Sequence, residues 1–106
     1  MIKELFREVI GVHTCDRRSS KTFIGERYPS WKFEEGFSEE DLLWSATERE
    51  SDEAMDVRSR RVLDDVFEHD RNAWISVSSH SGEIGSILRG EFLSFCLWRE
   101  IEGKRY

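Results

Sequence analysis

A chain of 106 residues suffices for one small domain, and with a net charge of −6 it is a poor match for nucleic acid, whose phosphates are held by basic surfaces. Charged residues reach 36% and hydrophobic ones 38%, yet the apolar residues come in blocks that suit a folded domain rather than a solvated coil. No window is long and apolar enough for a signal peptide or a membrane span, so the expectation is a soluble, cytoplasmic protein without a membrane partner.

Seven Phe and four Trp supply large buried areas. Cys15 and Cys96 are far apart and make no pair motif. One disulfide would be compatible with them, but two free thiols in a reducing compartment is the favoured reading. His13 and Cys15 form a His-x-Cys without a second close pair, which is weak for zinc, and no metal site is expected.

In chain order, Ile2, Leu5, Phe6 and Val9 fall at helical spacing among Lys3, Glu4, Arg7 and Glu8, which predicts a short amphipathic helix stopped at Gly11. Residues 12–20 read as a loop and 21–27 as a short helix, after which Pro29 enforces an extended or turning chain at Tyr28. In 30–50, Trp31, Phe33, Phe37 and Trp44 dock an acidic segment, and Ser38 with Asp41 three residues on fits a helix N-terminus. The strongest helix spans about 51–67. Ser51, Asp52 and Glu53 open it, Met55, Val62, Leu63, Val66 and Phe67 form its apolar face, and Arg58, Arg60, Arg61, Asp64 and Asp65 take the other side.

Residues 74–78, Trp-Ile-Ser-Val-Ser, read as a short strand, followed by a turn and a helix through Arg89. Helix, strand, tight turn and helix predict an α/β layered domain with a parallel sheet. Ligands in such sheets sit outside the carboxyl ends of the strands, where a following helix aims its free N–H groups at an anion. That place holds Ser78, Ser79, His80, Ser81 and Gly82. Two readings stand at this point: a phosphate-binding turn, and a polar turn whose serines cap the next helix while its histidine is solvated.

The run Val62-Leu63-Asp64-Asp65-Val66-Phe67-Glu68-His69-Asp70, with Ile75-Ser76-Val77-Ser78-Ser79-His80-Ser81-Gly82 after it, resembles a signature region of fungal phosphoglycerate-mutase-like proteins in the histidine phosphatase superfamily. Leu5-Phe6-Arg7-Glu8 with Gly11-Val12-His13-Thr14-Cys15-Asp16-Arg17-Arg18 is similar to the middle segment of the same group, so the resemblance runs over about residues 4–89. It implies a single, partial domain over 1–106 of three-layer parallel-sheet type, truncated at its N-terminus. It also implies phosphoryl transfer from a phosphate monoester, a phosphorylated small molecule, to histidine and then to water or back, with phosphatase favoured over mutase and no cofactor.

By the same resemblance, His80 matches the histidine that holds the transferring phosphoryl group, and Glu8 lies where the group places the proton donor to the leaving oxygen. Ser79, Ser81 and Gly82 complete the phosphate turn, while Arg17 and Arg18 reach the substrate beyond it. The plain alternatives are a solvated Glu8, surface roles for Arg17 and Arg18, and exposed or structural His13 and His69.

The sequence also departs from the group. Its members attack phosphate with a histidine in an Arg-His-Gly motif, and no such run occurs in these residues. After Arg89 the sequence no longer resembles the group, although Leu93, Phe95 and Leu97 alternate as in a strand. A truncated gene product and a degenerate paralogue each account for both departures. Two expectations follow: an enzyme impaired for want of a nucleophile, and self-association through the exposed edge of an incomplete sheet. The alternative function is a non-catalytic phosphate-binding or protein-interaction module.

Overall fold

The computed structural model describes residues 1–90. Among them are three α-helices, α1 (Lys21–Arg27), α2 (Asp52–His69) and α3 (Ser81–Arg89), and a 3-10 turn at Thr14–Asp16. No β-strand forms among the described residues, where a lone parallel bridge pairs Ile2 with Phe33. The expected α/β parallel-sheet domain is therefore corrected: the described chain is a small helical fragment. Among the described residues there is no sheet whose edge could serve the expected self-association. The alternating residues Leu93, Phe95 and Leu97, and Cys96, lie outside the described residues, while Cys15 is exposed. No helix among the described residues is long and apolar enough to cross a membrane.

Helix α2 starts where its sequence says it should. Ser51 adopts an extended backbone and its hydroxyl accepts the Ala54 N–H at 3.2 Å, with Asp52 and Glu53 in the first turn. Its buried stripe is Met55, Arg58, Ser59, Val62, Leu63 and Val66, which follows the i, i+3, i+4, i+7 spacing of one helix face. Arg58 is thus on the core side rather than the solvent side expected of it, and Phe67 is exposed. Helix α3 packs against α2 with Glu83, Ser86 and Ile87, again one face. The two helices meet through polar groups as well as Ile87. The Ser59 hydroxyl lies 2.8 Å from that of Ser86, which donates to Asp56 at 2.6 Å, and Arg89 donates to the same carboxylate oxygen at 2.8 Å.

The predicted helix at 2–10 does not form. A helix this short is marginal without tertiary support, and here tertiary partners take its backbone groups instead. The Ile2 N–H donates to Lys32 O, Glu34 N–H donates to Ile2 O, and the Glu4 N–H donates to the Glu34 carboxylate. At the far end, Ile10 and Glu50 exchange backbone and side-chain hydrogen bonds, before Gly11 turns the chain with φ of 100°. A side chain at Gly11 would strike the backbone of Glu48, so both conformation and space require glycine there.

The helix expected from Ser38 is also absent. The Ser38 hydroxyl donates to the Glu40 carbonyl instead of capping, and Asp41 accepts the N–H groups of Leu43 and Trp44 in a local turn. Glu39 supplies its carbonyl to the Lys21 N–H and its carboxylate to the Thr22 N–H, so this acidic segment caps α1. Residues 74–78 run without forming a strand, and Trp74 is 75% exposed. Branched and aromatic residues favour a strand only where a neighbouring strand offers a packed surface, and the described residues provide none.

Candidate functional site

The segment 4–8, the loop 15–18 and the N-terminus of α3 surround one cavity of about 290 Å³, which Glu8, Arg17, Arg18 and His80 line together. Four of the seven residues expected at the site therefore meet, although 72 positions separate Glu8 from His80 in the chain (80 − 8). Ser79, Ser81 and Gly82 stand outside the lining.

His80 is exposed and forms the N-cap of α3, with an extended backbone and no side-chain capping bond. Its carbonyl accepts the Ile84 N–H, and the residue lines the cavity. Ser79 turns inward, its hydroxyl donating to Phe6 O at 2.9 Å, so this oxygen ties the turn to the N-terminal segment rather than meeting a ligand. Ser81 is exposed at the first helical position.

Glu8 is not helical and is half-buried. One carboxylate oxygen accepts the N–H of Val9 at 2.9 Å and the other accepts that of Gly82 at 3.2 Å. The positive end of α3, expected to receive a phosphate, thus already receives a carboxylate of the same chain. Gly82 makes this approach feasible, because a Cβ there would fall well inside contact distance of Glu8 Oε1.

The cations around the cavity divide into two kinds. Lys3 pairs with Asp65 at 2.5 Å and with Glu34, while Arg7 pairs with Glu4 at 2.7 Å and with Asp41 at 2.5 Å. Arg18 pairs with Glu4, stacks 4.5 Å from the Phe37 ring, and donates to the carbonyls of Ser19, Ser38, Glu39 and Glu40. Its guanidinium is spent on holding 38–40 against the N-terminal segment. Arg17, by contrast, is exposed, lies 5.3 Å over the Trp44 ring and enters no ion pair among the described residues. Of the two arginines singled out together in the sequence, Arg17 is the one available to a ligand.

Asp41 is the electrostatic anchor of this side. Burial alone would raise its pKa, but hydrogen bonds from Arg7 and the Arg18 N–H, with the charge of Arg7, hold it well below the usual carboxylate range. On the other side, Glu83 is fully enclosed, and burial pushes its pKa up despite the Arg58 charge 3.0 Å away.

Arg7, Asp41, Arg58 and Glu83 escaped the sequence reading. Two of them carried a usable signal. Arg58 is three residues after Met55 and four before Val62, and Glu83 is four before Ile87, so the helical period puts both on buried faces.

Comparison with known proteins identifies relatives of this chain. Over 87 residues the chain is 51% identical to the "Probable phosphoglycerate mutase" of Arthroderma benhamiae, covering 82% of this chain and 26% of that protein. It is 42% identical over 89 residues to the "Phosphomutase-like protein 3" of Candida albicans, covering 83% and 28%. The "Phosphoglycerate mutase-like protein 1" of Arabidopsis thaliana is 35% identical over 80 residues, covering 76% and 28%. The chain thus spans about a quarter of the length of the relatives it matches. No family model matches it, and no solved structure does. On these relatives, the chain belongs to the phosphoglycerate-mutase-like family of the histidine phosphatase superfamily.

Proposed function

We propose that this chain carries the His80–Glu8 side of a pocket for phosphate monoesters. The reaction is phosphoryl transfer from a phosphorylated small molecule, ending on water rather than on a second hydroxyl of the substrate. The supporting observation is the convergence of Glu8, Arg17 and His80 on one cavity. His80 donates to the non-bridging oxygens of the transferring group, where charge collects. Arg17 offers a planar fork of donors to the rest of the substrate. Glu8 protonates the leaving oxygen, a task that requires it to take up a proton as substrate enters while one carboxyl oxygen keeps the Gly82 N–H. No Arg-His-Gly run is present in the chain, so phosphoryl transfer by these residues alone is impaired.

The test is a titration of the full chain with inorganic phosphate, read at the His80 imidazole resonances, beside an assay with an aryl phosphate. A saturable shift that Arg17→Ala weakens about tenfold supports the pocket, one charge-assisted hydrogen bond being worth about 1.5–3 kcal/mol. Turnover abolished by His80→Ala adds catalysis, and binding without turnover marks a phosphate-binding module. Absence of any phosphate-dependent shift overturns the proposal.

A further inference from the structure

The guanidinium of Arg58 joins three parts of the molecule. It donates to the carbonyls of Leu5 at 2.7 Å, Arg7 at 3.0 Å and Glu8 at 3.3 Å. It also donates to both oxygens of Glu50 at 2.8 Å, just ahead of α2, and to Glu83 of α3 at 3.0 Å. Arg58 and Glu83 are buried, and the bonds of Arg58 to Glu83 and to the Arg7 carbonyl are made out of reach of water.

Glu83 follows Gly82, whose N–H meets the Glu8 carboxylate. Arg58 therefore grips both sides of that contact: the backbone of Glu8 through its carbonyl, and the first turn of α3 through Glu83. We infer that Arg58 is a positioning residue for the Glu8 carboxylate, fixing where it stands beside His80. This inference rests on the reading of Glu8 as the proton donor. A general acid held loosely loses much of its effect, because small displacements remove it from reach of the proton's destination. Only a guanidinium can serve here. A lysine ammonium has three donors on one atom and no planar fork, so it cannot span three carbonyls and two carboxylates.

The charged groups near Glu8 are Glu83, which senses its charge, Arg58 with its Glu50 partner at the Glu8 carbonyl, and Arg17 and His80 on the same cavity. An N–H bonded to a carboxylate senses its ionisation, since the bond to the charged form is stronger. The experiment is a pH titration of the isotope-labelled full chain without phosphate, read at the Gly82 amide.

In the unaltered chain, Gly82 follows a carboxylate titration that Glu8→Gln removes, which assigns it to Glu8 rather than to Glu83. Arg58→Lys is expected to keep its helical circular dichroism and to lose the Gly82 response as Glu8→Gln does. Retention of the full response in a folded Arg58→Lys chain overturns the inference. Should Arg58→Lys fail to fold, Glu83→Leu decides. It cuts the link from Arg58 to α3 while leaving the Glu50 pair, and loss of the Gly82 response supports the inference whereas an unchanged response overturns it. Because no phosphate is present, the two readings fail separately. Phosphate binding with an unchanged Gly82 response sinks the role of Arg58 alone, and a lost response in a chain blind to phosphate sinks the proposed activity alone.

Discussion

The Glu8 carboxylate accepts the Gly82 N–H at 3.2 Å, joining the irregular N-terminal segment to the first turn of α3. A methyl group at Gly82 would collide with Glu8 Oε1 and come within 3.2 Å of Val9 Cγ2. In an unobstructed helix, Gly→Ala gains about 1 kcal/mol. Here the carboxylate must swing away, and a hydrogen bond to a charged group is worth about 1.5–3 kcal/mol. Gly82→Ala is therefore expected to destabilise the chain by about 1 kcal/mol, measured by urea unfolding. A variant more stable than its parent would show that Glu8 moves aside freely.

Arg7 and Asp41 meet at 2.5 Å with the Asp41 side chain fully enclosed. Removing one member of such a pair strands the other, so Asp41→Ala should cost about 3–5 kcal/mol. The pH dependence has a definite sign. Asp41 ionises more readily folded than unfolded, so its contribution is complete above the unfolded value near pH 4 and fades as the pH falls toward the lower folded one. Acid unfolding should steepen below about pH 4 in the parent and lose that component in the variant. Parallel acid curves for the two chains would contradict it.

Some of this fold could be read from the sequence and some could not, and the division has a physical basis. Helices α1 and α2 have local causes: a Ser20 hydroxyl that accepts the Phe23 N–H, a Ser51 cap, and apolar residues at one helical period. The misassigned segments have causes elsewhere in the chain. Residues 2–10 show helical spacing, but Lys32, Glu34, Glu50 and Arg58 take their backbone groups. Ser38 and Asp41 look like a capping pair, but Arg7 and Arg18 claim them. At the candidate site, Glu8 and His80 are candidates by motif, whereas Arg58 and Glu83 beneath them show only in the helical period, and Arg7 and Asp41 have no such signal. The charge of Arg58 argues for solvent while its spacing to Met55 and Val62 argues for the core, and its carbonyl partners explain why the spacing prevails.

Arg17 and Arg18 stand side by side in sequence and should behave differently when truncated. Arg18 bonds to Glu4 and to several carbonyls in the 19–40 region, so Arg18→Ala leaves Glu4 with Arg7 alone and those carbonyls without their donor, and should cost about 3 kcal/mol. For a chain this size that lowers Tm by more than about 10 °C. Arg17→Ala removes an exposed cation–ring contact worth about 0.5–1 kcal/mol and should leave the fold nearly unchanged. Paired thermal melts test this, and equal losses would mean that Arg17 is as structural as its neighbour.

Glu83 should give the opposite pH signature to Asp41. Three carboxylates, Glu8, Glu50 and Glu83, stand around the single Arg58 guanidinium, and Arg58 already holds Glu50 through both oxygens. Burial with this surplus of negative charge makes Glu83 hold its proton more tightly folded than unfolded. Its contribution to stability is therefore full below the unfolded value near pH 4 and is lost as the pH rises through the higher folded value. Glu83→Gln keeps the shape and an acceptor for Arg58 but cannot ionise. Urea midpoints should then coincide for parent and variant below about pH 4 and favour the variant at neutral pH. If the variant instead lost ground at neutral pH, the charge on Glu83 would be a net support of Arg58, and the carboxylate would belong to the clamp as an ion rather than as a neutral acceptor.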